Sequence, residues 1–212
     1  MAFRVIRTLA EAPEDFGPSA LTIGNFDGVH AGHRELFRRV VTLAKRPRWR
    51  PSVLTFDPHP SKVLAPERSP HLLTTMDQRL TLMQSEHIEQ VLVLPFNREI
   101  ASLSPEAFVV DLLVEKLKAR FVVVGDNFRF GSKQAGDTAV LAALGEKFGF
   151  KLEVVPAVTM RDRVVSSSEI RKLLGSGEIA FANRMLQRPY GLEGNVVSGN
   201  GVGSKQTVQP SI

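Results

Sequence analysis

Apolar positions along the chain fall into short β-branched runs separated by stretches with helical spacing. Leu21–Phe26 (LTIGNF), Ser52–Phe56 (SVLTF), Gln90–Pro95 (QVLVLP), Phe121–Val124 (FVVV) and Leu152–Val155 read as five strands. Between them, Ala31–Lys45, Thr75–Glu86 and Thr138–Phe148 have the pattern of helices. Ser104-Pro105-Glu106 opens another, with serine as N-cap, proline at the first helical position and an acid in the first turn; Phe108, Leu112 and Leu113 supply its apolar stripe. Strands alternating with helices of about 10–15 residues predict an α/β fold, a Rossmann-like parallel five-stranded sheet with helices on both faces. In such sheets ligands bind beyond the carboxyl ends of the strands, at the switch point of the strand order. That directs attention to the loops after Phe26, Phe56, Pro95, Val124 and Val155.

The loop Gly24–His33 (GNFDGVHAGH) carries the most chemistry. Gly28 permits a sharp turn and Gly32 a close backbone approach where the helix begins. His30 and His33, at i and i+3, can project from one side of the first helical turn. A helix amino terminus already favours anions, so two imidazoles there suit phosphate oxygens. A metal site shared with Asp57 and His59, or two structural histidines at a turn, are the competing readings. A Walker phosphate loop is excluded, because no GxxxxGK[ST] occurs.

Three further segments converge on the same ends of the strands. In Thr55–Pro60 (TFDPHP), two prolines around Asp57 and His59 suit either a rigid wall for a flat ligand or a plain rigid turn. In Gly125–Gly131 (GDNFRFG), Asp126 and Asn127 are placed to touch a ligand or metal. One ring of Phe128 and Phe130 is expected in the core and the other against a ring-shaped substrate. In Val165–Gly177 (VSSSEIRKLLGSG), Ser166 and Glu169 predict a capping box. Ser167, Ser168 and Arg171 add the makings of a second phosphate cradle, with Arg163 upstream as further positive charge. Two anion-binding helix starts on one sheet suggest a nucleoside triphosphate bridging them. Such a site transfers a group by in-line attack without a protein nucleophile.

Composition changes this picture little. Across 212 residues there are 27 basic and 22 acidic side chains, a net charge of +5 and a pI near 9.8, a balance that fits a polyanionic small ligand. The basic cluster Arg34, Arg38, Arg39, Lys45, Arg46, Arg48 and Arg50 reads as a solvated helix face, because its aromatics do not alternate as a base-stacking platform would, and no nucleic-acid partner is expected. The absence of cysteine excludes disulfides, Cys-ligated metals and a thiol nucleophile. The longest uncharged stretches, Phe16–Phe26 and Gly194–Ser204, fall far short of the ~20 residues a spanning helix needs, and Arg4, Arg7 and Glu11 break any signal-peptide core. A soluble, cytoplasmic protein with no membrane partner is expected.

GNFDGVHAGH resembles the HxGH signature of the nucleotidyltransferase superfamily, and VSSSEIR resembles its second motif, ISSTxIR. With TFDPHP, GDNFRFG and LPFNREIASLSPEAFVVDLL, the chain is similar over residues 3–190 to the FMN adenylyltransferase module of bacterial bifunctional FAD synthetase/riboflavin kinases. The resemblance implies a nucleotidyltransferase-type fold and Mg²⁺-dependent transfer of AMP from ATP to FMN, giving FAD and pyrophosphate. By the same resemblance, His30 and His33 contact the ATP phosphates, and Ser167, Ser168 and Arg171 hold the leaving phosphates. Gly24, Asn25, Phe26, Asp27, Gly32, Asn127 and Arg163 serve ATP; Pro58, Pro60 and Phe130 position the flavin. No residue is implied as a metal ligand. Ser168 stands where threonine is common, which keeps the hydroxyl.

The texture changes after residue 188. Arg188-Pro189-Tyr190 ends a helix, and Gly194–Gly203 is strand-like and glycine-rich. The segment matches the beginning of a riboflavin kinase β-barrel, giving an adenylyltransferase domain over 1–187 and a kinase remnant over 188–212. With only Lys205–Ile212 beyond that beginning, riboflavin phosphorylation is not expected of this polypeptide. Two alternatives stay open: a nucleotidyltransferase for another phosphate acceptor, and a non-catalytic flavin- or nucleotide-binding remnant.

Overall fold

The structure, a computed structural model, describes residues 3–45 and 49–194. The strand-like Gly194–Gly203 segment beyond its first residue, the Lys205–Ile212 tail, and Arg46 and Arg48 of the basic cluster lie outside the described residues. In chain order the elements are β1 (Arg4–Ile6), β2 (Ser19–Ile23), α1 (Ala31–Ala44), β3 (Arg50–Asp57), α2 (Pro60–Leu64), α3 (Met76–Ser85), β4 (Gln90–Pro95) and α4 (Arg98–Ser102). There follow α5 (Pro105–Ala107), running into a π-helix (Phe108–Lys116), then β5 (Ala119–Gly125), α6 (Thr138–Phe148) and β6 (Lys151–Val155). A short hairpin of β7 (Thr159–Met160) and β8 (Arg163–Val164) leads into α7 (Ser167–Gly175) and α8 (Ile179–Leu186).

Six strands, not five, form the main sheet among the described residues, in the order β1-β4-β3-β2-β5-β6, every neighbour parallel. The additional strand is β1, whose Arg4, Val5 and Ile6 pair with Gln90, Val91 and Leu92. Three residues led by an arginine are too short to show a period. The strand order reverses around β2, which lies between β3 and β5, and this is the switch point where ligands bind in open parallel sheets.

Both faces of the sheet are covered. On one, Leu36, Phe37, Val40 and Ala44 of α1 pack with Leu80 and Met83 of α3 against Ala20, Val53, Val91 and Val123. The opposite face receives Phe108, Val109, Leu112 and Leu113 of the π-helix and Leu141 of α6, against Leu21, Leu54, Leu92 and Val122. Each such buried large apolar side chain contributes about 1.5–3 kcal/mol. A third cluster lies beyond the strand ends, where Ile170 and Leu173 of α7 and Ala182, Met185 and Leu186 of α8 pack on Ala31 and Leu73. Since Ala31 is the first residue of α1, this cluster brings the amino termini of α1 and α7 together.

The π-helix was not foreseeable from spacing. The stripe Phe108, Leu112, Leu113 fits an ordinary helix, yet its last turn closes with the Leu117 amide donating to the Leu112 carbonyl. The basic face is neutralised locally: Arg34 pairs with Glu86, Arg38 and Arg39 with Glu35, and Arg50 with Asp15. Among the described residues no helix is long and apolar enough to cross a membrane.

Candidate active site

The turn from β2 into α1 departs from ordinary backbone geometry. Phe26, Gly28 and Val29 all have positive φ, at 50°, 82° and 40°. For phenylalanine and for β-branched valine such values cost on the order of 1–3 kcal/mol each, so surrounding contacts must over-determine them. At Gly28 a side chain meets a second obstacle, because a Cβ would sit 2.8 Å from Leu73 Cδ1 and the leucine would have to shift.

Those contacts come from four distant parts of the chain. The Asn25 carbonyl accepts from Arg79 Nη1 at 2.9 Å, and the Asp27 carbonyl from Ser167 Oγ at 2.8 Å. Arg188 spans two successive carbonyls, donating to Gly28 at 2.7 Å and to Val29 at 3.2 Å. The Gly28 amide donates to Thr74 Oγ1 at 2.9 Å. Asp27, 2% exposed, accepts from the amides of Leu73 and Thr74, from the Thr74 hydroxyl and from Arg171 Nη2. Its carboxylate is therefore committed to the protein. Although Asp27 lines the cavity, its acceptor positions hold the 73–74 backbone and Arg171 in place.

His30 is the N-cap of α1, its Nδ1 accepting from the His33 amide at 3.4 Å. That role leaves the proton of a neutral His30 ring on Nε2. The two imidazoles stack with centroids 3.6 Å apart and planes within 18°, and the Phe26 ring meets His33 edge-on at 5.2 Å. Two imidazolium ions would not stack so closely, and both rings are held neutral. Burial lowers the His30 pKa to about 4, with Arg188 adding to the shift and Asp27 opposing it. Burial also holds His33 well below the usual value, reinforced by His30 and Arg79. His33 Nδ1 is buried without a hydrogen-bond partner in the protein. Gly32 makes room for this pair, since a Cβ there would lie 3.3 Å from the His30 ring.

The head of α7 faces the same space. Ser166 caps the helix by accepting from the Glu169 amide at 3.2 Å. The expected capping box is only half made, because the Glu169 carboxylate turns to Arg163 at 3.0 Å rather than back to Ser166. Arg163 also lies over the Phe181 ring and does not line the cavity, so it stands apart from the other residues expected to serve ATP. Ser167 and Ser168 both line the cavity; Ser167 is tied to Asp27 and Ser168 is exposed. Arg171 reaches Asp27 with one arm and donates to the His71 carbonyl at 2.6 Å with another.

One cavity of about 1160 Å³ joins these parts, larger than the roughly 300–1,000 Å³ of a single drug-sized site and therefore roomy enough for two substrates. Its lining includes Gly24, Asn25, Phe26, Asp27, His30, Gly32 and His33 with the α7 serines and Arg171. Phe56, Phe96, Phe108, Phe128 and Phe130 line it as well. Phe130, 5% exposed, stacks on Phe128 at 5.5 Å and packs on Phe108 at 5.6 Å, so both rings of GDNFRFG border the cavity. Asp126, Asn127, His59 and Pro60 line it as well; Pro58 does not. Among the described residues no group of three or more His, Asp or Glu could hold a metal ion, so Asp57 and His59 do not complete a metal site with the histidine pair.

Arg79 and Arg188 were not identified as part of the site from the sequence. Arg79 is 1% exposed in the middle of α3, and nothing local marks it as a partner of Asn25.

A parallel sheet with a histidine-bearing helix start at its switch point defines an α/β protein of nucleotidyltransferase type. The FAD synthetase family model matches residues 12–169, and the chain belongs to that family. It is 34% identical to the bifunctional riboflavin kinase/FMN adenylyltransferase of Buchnera aphidicola subsp. Schizaphis graminum, over 95% of this chain and 65% of the relative. The counterpart from Escherichia coli K12 is 34% identical over 94% and 63%, and that from Pseudomonas fluorescens 36% identical over 88% and 60%. The chain thus spans somewhat under two thirds of the length of these relatives. Among solved structures, a protein described as a macrolide-efflux protein from Streptococcus pneumoniae superposes with a TM-score of 0.82 at 26% identity, covering 95% of this chain and 67% of that one. A pantoate-beta-alanine ligase from Francisella tularensis shares the fold alone, with a TM-score of 0.54 at 16% identity and coverage of 88% and 78%.

Proposed function

We propose that this chain catalyses transfer of AMP from ATP to FMN, giving FAD and pyrophosphate. The observation that carries the reading is the opening of two helix amino termini, α1 with His30 and His33 and α7 with Ser168 and Arg171, onto one cavity that Phe56, Phe96, Phe108, Phe128 and Phe130 also line. The phosphates of ATP lie between the two helix starts, and the flavin ring packs near Pro60 and Phe130. An FMN phosphate oxygen attacks the α-phosphorus in line; the bond from that phosphorus to the β-phosphate oxygen breaks, and pyrophosphate leaves. Neutral His30 donates from Nε2 to oxygens on which charge grows in the transition state. The serine hydroxyls, the α7 amides and Arg171 take the charge of the departing pyrophosphate. Gly24, Asn25 and Phe26 supply the wall beside the nucleotide, and Asn127 reaches its phosphate region.

Mg²⁺ enters as part of Mg-ATP. The carboxylates lining the cavity are Asp27, already committed, and Asp126, whose Oδ2 accepts from the Ala157 amide at 3.1 Å. That donor set makes no protein cage and suits an ion held mainly by phosphates and water. Residues 1–187, with the Arg188 side chain folded back onto them, constitute the adenylyltransferase unit, 188–212 begin a further one, and the reaction takes place in the cytoplasm.

Incubation with FMN and Mg-ATP tests the reading, with FAD and pyrophosphate expected in equal amounts. Transfer to a pantetheine or nicotinate phosphate in preference to FMN would reassign the acceptor. Binding of FMN and ATP without pyrophosphate release would leave a non-catalytic binding protein.

A further inference from the structure

We propose that Arg188, two residues beyond the last helix, is a positioning residue for His30, its guanidinium bridging the carbonyls of Gly28 and Val29 and fixing the left-handed turn that delivers the imidazole to the cavity. The inference rests on the adenylyltransferase reading and deepens it.

Three observations converge. Gly28 and Val29 have positive φ, and Val29 is β-branched, so an ordinary loop would relax toward negative φ. The Arg188 side chain reaches 160 positions back along the chain to Gly28. It places two separate nitrogens on adjacent carbonyls, a span set by the rigid planar fork that the single nitrogen of an ammonium on a flexible stem does not reproduce. Arg188 is itself anchored, because α8 ends there: its amide donates to the Asn183 carbonyl, and Asn183 Oδ1 accepts from the Tyr190 amide. The guanidinium is therefore presented from a fixed base, and His30 follows Val29 directly.

The same arm sets the electrostatics of the ring. The charged and titratable groups that face His30 are Asp27 from its own turn, His33 stacked on it from α1, and Arg188 from beyond α8. Arg171 of α7 is engaged by Asp27, and Arg79 of α3 acts on His33. Asp27 draws a proton toward His30, whereas burial and Arg188 oppose it. Arg188 thus favours the neutral ring whose Nε2–H faces the substrate.

The test uses the full chain with Arg188→Ala, Arg188→Lys and, as a surface control, Arg184→Ala. Arg188→Ala is expected to lower kcat about 10- to 100-fold, the scale of a displaced catalytic group, while KM for FMN moves less than about twofold. His30, followed by NMR of its ring, should titrate closer to the ordinary histidine value than the about 4 of the parent. Arg188→Lys should restore the titration but not kcat, separating the charge from the two-carbonyl geometry. Arg184→Ala should change neither. Parent-like kcat and His30 titration in Arg188→Ala, or a fall in Tm alone, would overturn the proposal. Should Arg188→Ala not fold, kcat of Arg188→Lys decides, a parent-like value overturning the proposal. If the parent forms no FAD, the activity reading fails by itself, and the ring titration with the amide shifts of Gly28–Gly32 still judges Arg188.

Discussion

The two helix starts that meet at the cavity are built on opposite plans. At α1 the approach is strained and saturated: three positive φ values, carbonyls claimed by Arg79, Ser167 and Arg188, and a carboxylate fully engaged. At α7 the chain enters in extended geometry, one serine caps the helix, and Ser168 stays exposed. One end is saturated and charge-neutral at its imidazoles; the other presents the exposed Ser168 hydroxyl beside Arg171, which Asp27 and the His71 carbonyl hold in place. For the proposed reaction, transition-state stabilisation would call for donors oriented before the substrate arrives, which matches the construction of the α1 turn. Holding and releasing a leaving pyrophosphate would call for less, which matches the simpler entry into α7.

Variants at the two ends can break this contrast. The largest effect is expected at the α1 end, where His30→Ala or His33→Ala should lower the rate of FAD formation about 10²–10³-fold, read by product formation under saturating substrates. A rate equal to the parent's would remove the histidines from the chemistry. Next comes pH. His30 is held near 4 in the folded chain against an ordinary 6.5, so the unfolded state binds the extra proton first as pH falls. Its contribution is fully present above about pH 6.5 and is lost as pH falls towards 4, amounting to about 3 kcal/mol. Chemical denaturation at pH 7 and pH 4.5, in the parent and in His30→Gln, measures it; equal pH sensitivity in both would refute the assignment.

Gly28→Ala should cost about 2 kcal/mol from its backbone conformation, with the approach to Leu73 adding to it, and should lower Tm together with activity. The smallest effect belongs to the open end. Ser168→Ala removes one exposed hydroxyl and should slow turnover only about fivefold, on the order of 1 kcal/mol, leaving Tm unchanged. A Tm loss there as large as that of Gly28→Ala would erase the difference between the two ends.

The sequence reveals unevenly what the structure assembles. Strand cores and helix starts are legible because they are local: β-branched runs, Ser104-Pro105 and Ser166 mark them within a few residues, and α6 has the bounds its pattern predicts. The strand expected over Leu21–Phe26, by contrast, ends at Ile23, because the chain turns at Gly24 and Phe26 takes a positive φ. The β1 strand is not legible, since three residues carry no period and gain their identity only by pairing with β4. Asp27 sits where a ligand-binding acid belongs, and its partners Leu73, Thr74 and Arg171 lie far along the chain, so its engagement could not be read locally. Glu169 fits the capping pattern, but Arg163 offered a charged partner and won. In sequence Arg188 reads as the start of a following domain, whereas its side chain reaches back to the turn before α1.

The contacts that hold the α1 turn also set a schedule. Gly28 is translated early, but its carbonyl partner follows 160 positions later, and the Asp27 carbonyl waits 140 positions for Ser167. At about 5–20 residues per second, the ribosome needs roughly 10–30 s to supply them. During that interval the nascent chain carries both histidines but lacks the Ser167 and Arg188 contacts to the turn that precedes α1. The turn therefore reaches its full set of hydrogen bonds only once the segment around Arg188 has been made, long after the motif itself emerges.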